Sequence, residues 1–284
     1  MRGVKLDTTG LTAEEAERFR AFERRRHDML AGSYDDFFTP VTMHAIAPLL
    51  AAADVTAGAS FLEVACGTAA VAAAAQAQGA SASATDLSSE MATLGKQRHP
   101  QIDIREADVE HQPFADEIFD CVVCSFGIGH FPYPERAAAE CARVLRRGGR
   151  LAIAWWDAPE KMRLQGLFRE SIGEVGVKPP PDVPAGNAML RFTDPTELRK
   201  LLEGAGLNDV RIEEHSTAHR VPDVETLWRG GLGSFAVTGS AVAHQDTATQ
   251  ARIRQAFERR AQPYKTAEGL LIPFAFRVAS GRKA

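Results

Sequence analysis

Seven short apolar runs, most of them handed on to a helical pattern, predict an α/β fold: a doubly wound, mostly parallel seven-stranded sheet of Rossmann-like alternation with an antiparallel last strand. Three observations carry this. Runs at 61–65, 83–85, 102–106, 119–125 and 151–156 alternate with helices, which requires right-handed crossovers between parallel strands. Small-residue turns such as Cys66-Gly67-Thr68 and Gly148-Gly149 sit where strand and helix must exchange. The final run, 270–279, has no helix after it and can therefore close the sheet antiparallel.

Each element follows in order. Residues 12–30 read as a helix whose charges, Arg18, Arg20 and Arg24 among Glu14, Glu17 and Glu23, suit a solvated face. Gly32 and Ser33 then precede the aromatic cluster Tyr34, Phe37 and Phe38 and a second apolar helix over 41–53, so residues 1–55 form a helical preface or lid. The core, 56–157, holds the first five strands, with helices over about 69–77, 88–96 and 134–146. A helix at 195–205 leads to a strand at 209–214. Segments 158–191, with Pro179-Pro180-Pro181, and 221–265, with Trp228, leave the sheet where parallel strands end, which is where insertions roof a ligand crevice. The whole, 1–284, reads as one domain closed by the strand in 266–284.

Composition bounds the function. The chain has 284 residues, 45% hydrophobic and 25% charged, and a net charge of −4, which argues against nucleic acid as a partner. Four cysteines (Cys66, Cys121, Cys124, Cys141) are too few for a disulfide framework, and the Cys121/Cys124 pair lies in an apolar run with no second pair to complete a zinc site. No apolar stretch reaches membrane-spanning length. The expectation is a cytoplasmic protein without a membrane or metal partner, with a homodimer left open.

The turn Glu63-Val64-Ala65-Cys66-Gly67-Thr68-Ala69 lets a ligand approach backbone closely, and Asp86 ends the second strand, where an acid can accept from both hydroxyls of a ribose. Gly67 is the turn's single glycine, so the G-x-G-x-x-G pyrophosphate cradle is absent. The ligand should be nucleoside-like with little phosphate.

In these residues the chain resembles the class I S-adenosylmethionine-dependent methyltransferases, in particular their small-molecule, type 11 or UbiE-like, branch. Glu63–Ala69 is similar to that family's acidic glycine loop, Asp86-Leu87-Ser88-Ser89-Glu90-Met91 to its ribose-binding acid and following segment, and Ala107-Asp108-Val109 to its adenine-binding segment; Pro113-Phe114, Phe119-Asp120, Val144-Leu145 and Gly148-Gly149 complete the series. The resemblance implies S-adenosyl-L-methionine as cofactor. It makes Glu63 and the backbone of Ala65 and Gly67 contacts for the methionine end, Asp86 the ribose acid, Leu87, Asp108 and Val109 the adenine site and Ser125 a neighbour of the sulfonium, and places Cys66, Met91 and Phe126 in the same cofactor site. Tyr34 belongs to an element that in this branch folds over the cofactor. Ala65 and Ala69 stand where the family has glycine, which is tolerable if both keep negative φ.

A methyl acceptor with a neutral hydroxyl needs a base, and His130, just past the fourth strand, is the candidate. Phe131, Trp155 and Trp156 are the candidate acceptor walls, although side chains alternate along a strand and at most one tryptophan should face the crevice. No other histidine has a partner at ligand spacing. The expected reaction is methyl transfer to a small, apolar or aromatic acceptor; a protein that binds the cofactor without transferring its methyl is the alternative, because these motifs report the cofactor and not the acceptor.

Overall fold

The computed structural model describes residues 10–177, 184 and 189–284, without the side chains of 33–36 and 236. Five parallel strands form its centre: β1 (Ser60–Val64), β2 (Ser81–Asp86), β3 (Asp103–Glu106), β4 (Phe119–Ser125) and β5 (Leu145–Trp156). Beyond β5 lie β8 (Gly269–Lys283), antiparallel to it, and then β6 (Leu207–Val221), giving the order β3-β2-β1-β4-β5-β8-β6. The antiparallel last strand therefore enters the sheet between β5 and β6 instead of lying at its edge. A two-residue strand, β7 (Lys265–Thr266), pairs with the start of β8 and brings the described strands to eight.

The order reverses between β1 and β4, so the crevice of this sheet opens beyond their carboxyl ends. Central strands are apolar on both faces: Leu62, Val64, Val122, Val123, Leu151 and Ile153 are buried. Helices α3 (Ala70–Ala77), α4 (Ser89–Arg98) and α5 (Pro134–Val144) fill the crossovers. α5 starts with Pro134 at its first turn, where a missing N–H costs nothing, and buries Ala137, Ala138, Cys141 and Val144. All four cysteines are free and buried.

Three expectations need correction. The preface is not two helices separated at Gly32-Ser33; α1 (Ala13–Thr42) runs through them, capped by Thr12 and Glu15 in a reciprocal capping box, and is followed by α2 (Ile46–Ala52). Its charges are also not all solvated, because one face buries Ala16, Phe19, Phe22 and Glu23 against the body. The sixth strand runs to Val221, not Glu214. As the edge strand it carries Glu213, Glu214, His215 and Arg220, a charged pattern that protects a free edge but hides a strand from a hydrophobicity reading.

The roof over the crevice comes from α6 (Arg163–Val175), α8 (Val224–Ser234), α9 (Ala236–Ala243) and α10 (Thr247–Ala261), while α7 (Pro195–Gly204) leads into β6. Phe168, Trp228 and Phe257 form the roof's aromatic core, with Phe168 stacked on Trp228 at 5.5 Å. Residues 178–183, which include the three prolines, lie outside the described part. No helix among the described residues is long and apolar enough to cross a membrane.

Candidate active site

The turn after β1 is held in an uncommon backbone conformation. Ala65, Gly67 and Ala69 all have positive φ, at 51°, 52° and 64°. The expectation that the two alanines keep negative φ is thus overturned: each holds a left-handed conformation that costs a non-glycine residue roughly 1–2 kcal/mol. Surrounding bonds impose it. Cys66 N–H continues the sheet to the Thr85 carbonyl at 3.0 Å, and Ala69 N–H closes the turn on the Cys66 carbonyl at 2.8 Å. At Gly67, by contrast, an added Cβ would meet no atom within 4 Å and would project into open space.

Two carboxylates lock this turn. Asp86 Oδ2 accepts from Gly67 N–H at 2.7 Å and its Oδ1 from Ser88 N–H at 2.9 Å, joining the ends of β1 and β2. Glu63 Oε2 accepts from Ala72 N–H at 2.7 Å. The residue before α3 is Ala69, which has no side-chain cap to offer, so Glu63 satisfies the helix start from the neighbouring strand. Burial, with Asp86 nearby, pushes the Glu63 carboxyl up to about 8, against the backbone N–H bonds that favour its charge. Burial likewise raises Asp86, more than His27 and the Ser88 and Gly67 N–H groups lower it.

These groups line one side of a cavity of about 1520 Å³, open solvent at its mouth included. Glu63, Ala65, Cys66, Gly67, Asp86, Leu87, Met91, Asp108, Val109, Ser125 and Phe126 all line it, as the motif spacing predicts. The Asp108 carboxylate is already engaged: Arg20 Nε of α1 pairs with it at 2.7 Å and Glu110 N–H donates to it at 3.0 Å.

The opposite side is aromatic. Phe126 has a φ of 57°, a strained conformation for a bulky residue, which lays its ring flat on Trp156 at 3.7 Å and 16°. Phe38 of α1 meets both Trp156 and Phe235 at about 5.5 Å. Trp156, Phe131 and His130 line the cavity; Trp155 does not. Trp155 is fully buried, donates Nε1–H to the Met189 carbonyl at 2.9 Å and packs so closely on Gly129 that a Cβ there would lie 2.3 Å from its ring. The assignment of Trp155 to the acceptor pocket is therefore corrected; strand alternation sends it into the core. Tyr34 lies within α1, but its side chain is outside the described part.

The sequence reading also missed a cluster. Glu23, buried at 3% exposure, accepts from His130 Nδ1 at 3.0 Å, and His27, four residues along α1, places its Nδ1 3.6 Å from the same carboxylate oxygen. The two imidazoles meet edge to face at 5.3 Å. The statement that no other histidine has a partner at ligand spacing is overturned. The i, i+4 spacing of Glu23 and His27 was the available signal, but nothing in the sequence shows that this face of α1 turns inward. Arg20 of α1, Gln165 of α6 and Thr238 of α9 were missed as lining residues because the docking of these helices over the crevice leaves no local signal.

A mostly parallel sheet with a tight turn and an acid at its switch point, roofed by helices, has the architecture of a doubly wound nucleotide-binding domain. Residues 62–153 match the methyltransferase domain family. A demethylmenaquinone methyltransferase of Mycobacterium sp. (strain JLS) is 31% identical over 170 residues, 57% of this chain and 73% of that protein. That of Paenarthrobacter aurescens is 30% identical over 167 residues, 56% of this chain and 66% of that one. The matches cover 66%, 43% and 54% of the first three such relatives. In fold, a Haemonchus contortus phosphoethanolamine N-methyltransferase with S-adenosylhomocysteine superposes at a TM-score of 0.57, 16% identical, over 93% of this chain and 60% of that one. The chain belongs to the class I S-adenosylmethionine-dependent methyltransferases, and S-adenosylmethionine is its cofactor.

The residues present fit that cofactor. Open space at Gly67 admits a ligand against the turn, and each Asp86 oxygen, bonded to one backbone N–H, keeps a lone pair for a hydroxyl.

Proposed function

We propose that this chain methylates a small aromatic acceptor bearing an acidic hydroxyl, of the quinol class that its demethylmenaquinone methyltransferase relatives are named for. The supporting observation is the aromatic chamber of Phe38, Phe126, Trp156 and Phe235 opening beside His130 in the same cavity as the cofactor turn. Flat rings accept a flat acceptor by offset or edge contacts, each adding about 0.5–1.5 kcal/mol beyond area burial.

S-adenosylmethionine supplies a sulfonium methyl that leaves without activation, its bonding pair going to sulfur. The protein's residues therefore position and deprotonate. Phe126 and Trp156 fix the acceptor plane, and holding reactants near contact distance can supply roughly 7–11 kcal/mol of the barrier. His130 takes the hydroxyl proton and leaves an electron-rich ring or oxygen as nucleophile. Glu63, Asp86 and the β1–α3 turn hold the methionine and ribose ends in this reading, while Leu87 and Val109 flank the adenine.

Anaerobic incubation of the full chain with trideuteromethyl-labelled cofactor and a panel containing 1,4-naphthohydroquinone, catechols and aliphatic amines tests the proposal. Label on the hydroquinone supports it, and the labelled product's spectrum shows whether carbon or oxygen received the methyl. Label on the amines alone overturns it.

A further inference from the structure

Helix α1 does more than cover the cavity. Arg20 pairs with Asp108 after β3, Asp28 accepts from Ser88 Oγ after β2 at 2.5 Å, and Glu23 accepts from His130 after β4. One helix thus ties together the three loops that carry the cofactor and acceptor sites. Glu23 is nearly inaccessible, yet its charge faces His130, one of the two histidines that line the cavity.

Glu23, His27 and His130 place three ligand-type atoms within 4.8 Å of one another, the separation of a metal set. Their hydrogen bonds favour another use. His27 Nδ1–H is donated to the Glu23 carbonyl at 2.9 Å, and the Glu23 carboxylate is occupied by His130. Arg26, also facing Glu23, adds a positive charge that disfavours a cation.

We propose that Glu23 is a positioning residue for the base: its bond to His130 Nδ1–H fixes the tautomer and leaves Nε2 to take the acceptor's proton, so the helix that covers the cofactor also supplies the base's partner. This rests on the reading of His130 as base. The groups facing the pair are His27 and Arg26 from α1 and Asp86 from the end of β2; Trp155 of β5 contributes an uncharged edge at 6.0 Å. Burial pulls His130 down, but the charge and hydrogen bond of Glu23, with Asp86 behind them, outweigh it and leave the imidazole raised. Burial pushes Glu23 up, and His130, His27 and Arg26 outweigh it to leave the carboxyl lowered.

The test is an NMR titration of the His130 ring in the full chain saturated with S-adenosylhomocysteine, which needs no acceptor. The wild type should titrate above the ordinary histidine value, and Glu23→Gln should lower its proton affinity about tenfold or more. The rate of methyl transfer to 1,4-naphthohydroquinone should fall about tenfold or more in Glu23→Gln, with its rise on the acid side moving to lower pH. If Glu23→Gln does not fold, Glu23→Asp, which keeps the charge but withdraws it by one methylene, should show a smaller shift in the same direction. An unchanged His130 titration with an inactive His130→Asn overturns the positioning role and leaves the base standing. Undiminished transfer by His130→Asn overturns both. Zinc bound stoichiometrically in calorimetry, and lost in His27→Ala, assigns the three groups to a metal and also overturns the proposal.

Discussion

The two halves of the cavity are built by different means. The half proposed for the cofactor draws on a short stretch of chain, from Glu63 to Ser125, and is shaped by backbone: left-handed residues at three alternate positions, two carboxyl groups accepting from N–H groups, and strand ends in register. The half proposed for the acceptor is assembled from side chains of α1, β5, α6, α8 and α9 and of Phe126, His130 and Phe131 after β4, segments separated by as much as two hundred residues. Backbone geometry can be demanded by a local motif, whereas a wall of distant side chains can change with little effect on the turn.

That contrast can be broken most sharply at Gly67. Replacing it with valine puts a β-branched side chain at a φ of 52° and fills the space against the turn, so calorimetry should show S-adenosylhomocysteine binding weakened a hundredfold or more, about 2.7 kcal/mol, with the circular dichroism of the fold retained. Binding within tenfold of wild type would mean that the turn does not approach the ligand.

Asp86→Ala should be next, losing roughly 1.5–3 kcal/mol of cofactor affinity, the range for hydrogen bonds to a charged group. Because it also frees Gly67 and Ser88 N–H, a loss no larger than that of Trp156→Ala would show that the backbone half is not the more sensitive one.

Glu63 sharpens the comparison through pH. Its folded pKa, raised from 4.5 to about 8, means that the folded state holds a proton the unfolded chain releases, so this group's stability contribution is full below 4.5 and is lost as pH rises toward 8. Denaturant unfolding of the cofactor-free protein should lose on the order of 1 kcal/mol per pH unit from this group between those values, and Glu63→Gln should flatten that dependence. A slope identical in the two proteins would show that Glu63 is charged throughout.

The smallest effect is expected at Ala65. Glycine relieves the left-handed strain of roughly 1–2 kcal/mol but loosens the unfolded chain by about 0.4–1, so Ala65→Gly should stabilise by about 0.5 kcal/mol in the same unfolding measurement. Destabilisation by 1 kcal/mol or more would mean that packing of its methyl, which lies against Gly127, outweighs the backbone.

Much of this molecule was determined by local sequence. Strand β4 begins and ends where the sequence places it, at Phe119 and Ser125, because its centre, Cys121 to Cys124, is buried on both faces and so reads as an uninterrupted apolar run. The turn at Gly67 and the acid at Asp86 were legible because a tight strand-to-helix turn demands a small residue, and an acid that closes the second strand stands out at a short, fixed spacing after it. The conformation of that turn was not, since Ala65 and Ala69 prefer negative φ alone and are forced positive by sheet and turn bonds that exist only once β1, β2 and α3 have packed. Likewise Glu23 and Arg20 look in sequence like any charged helix face. Their burial against His130 and Asp108 was decided by the docking of α1 across the cleft, a contact between residues about ninety or more positions apart that no local pattern encodes.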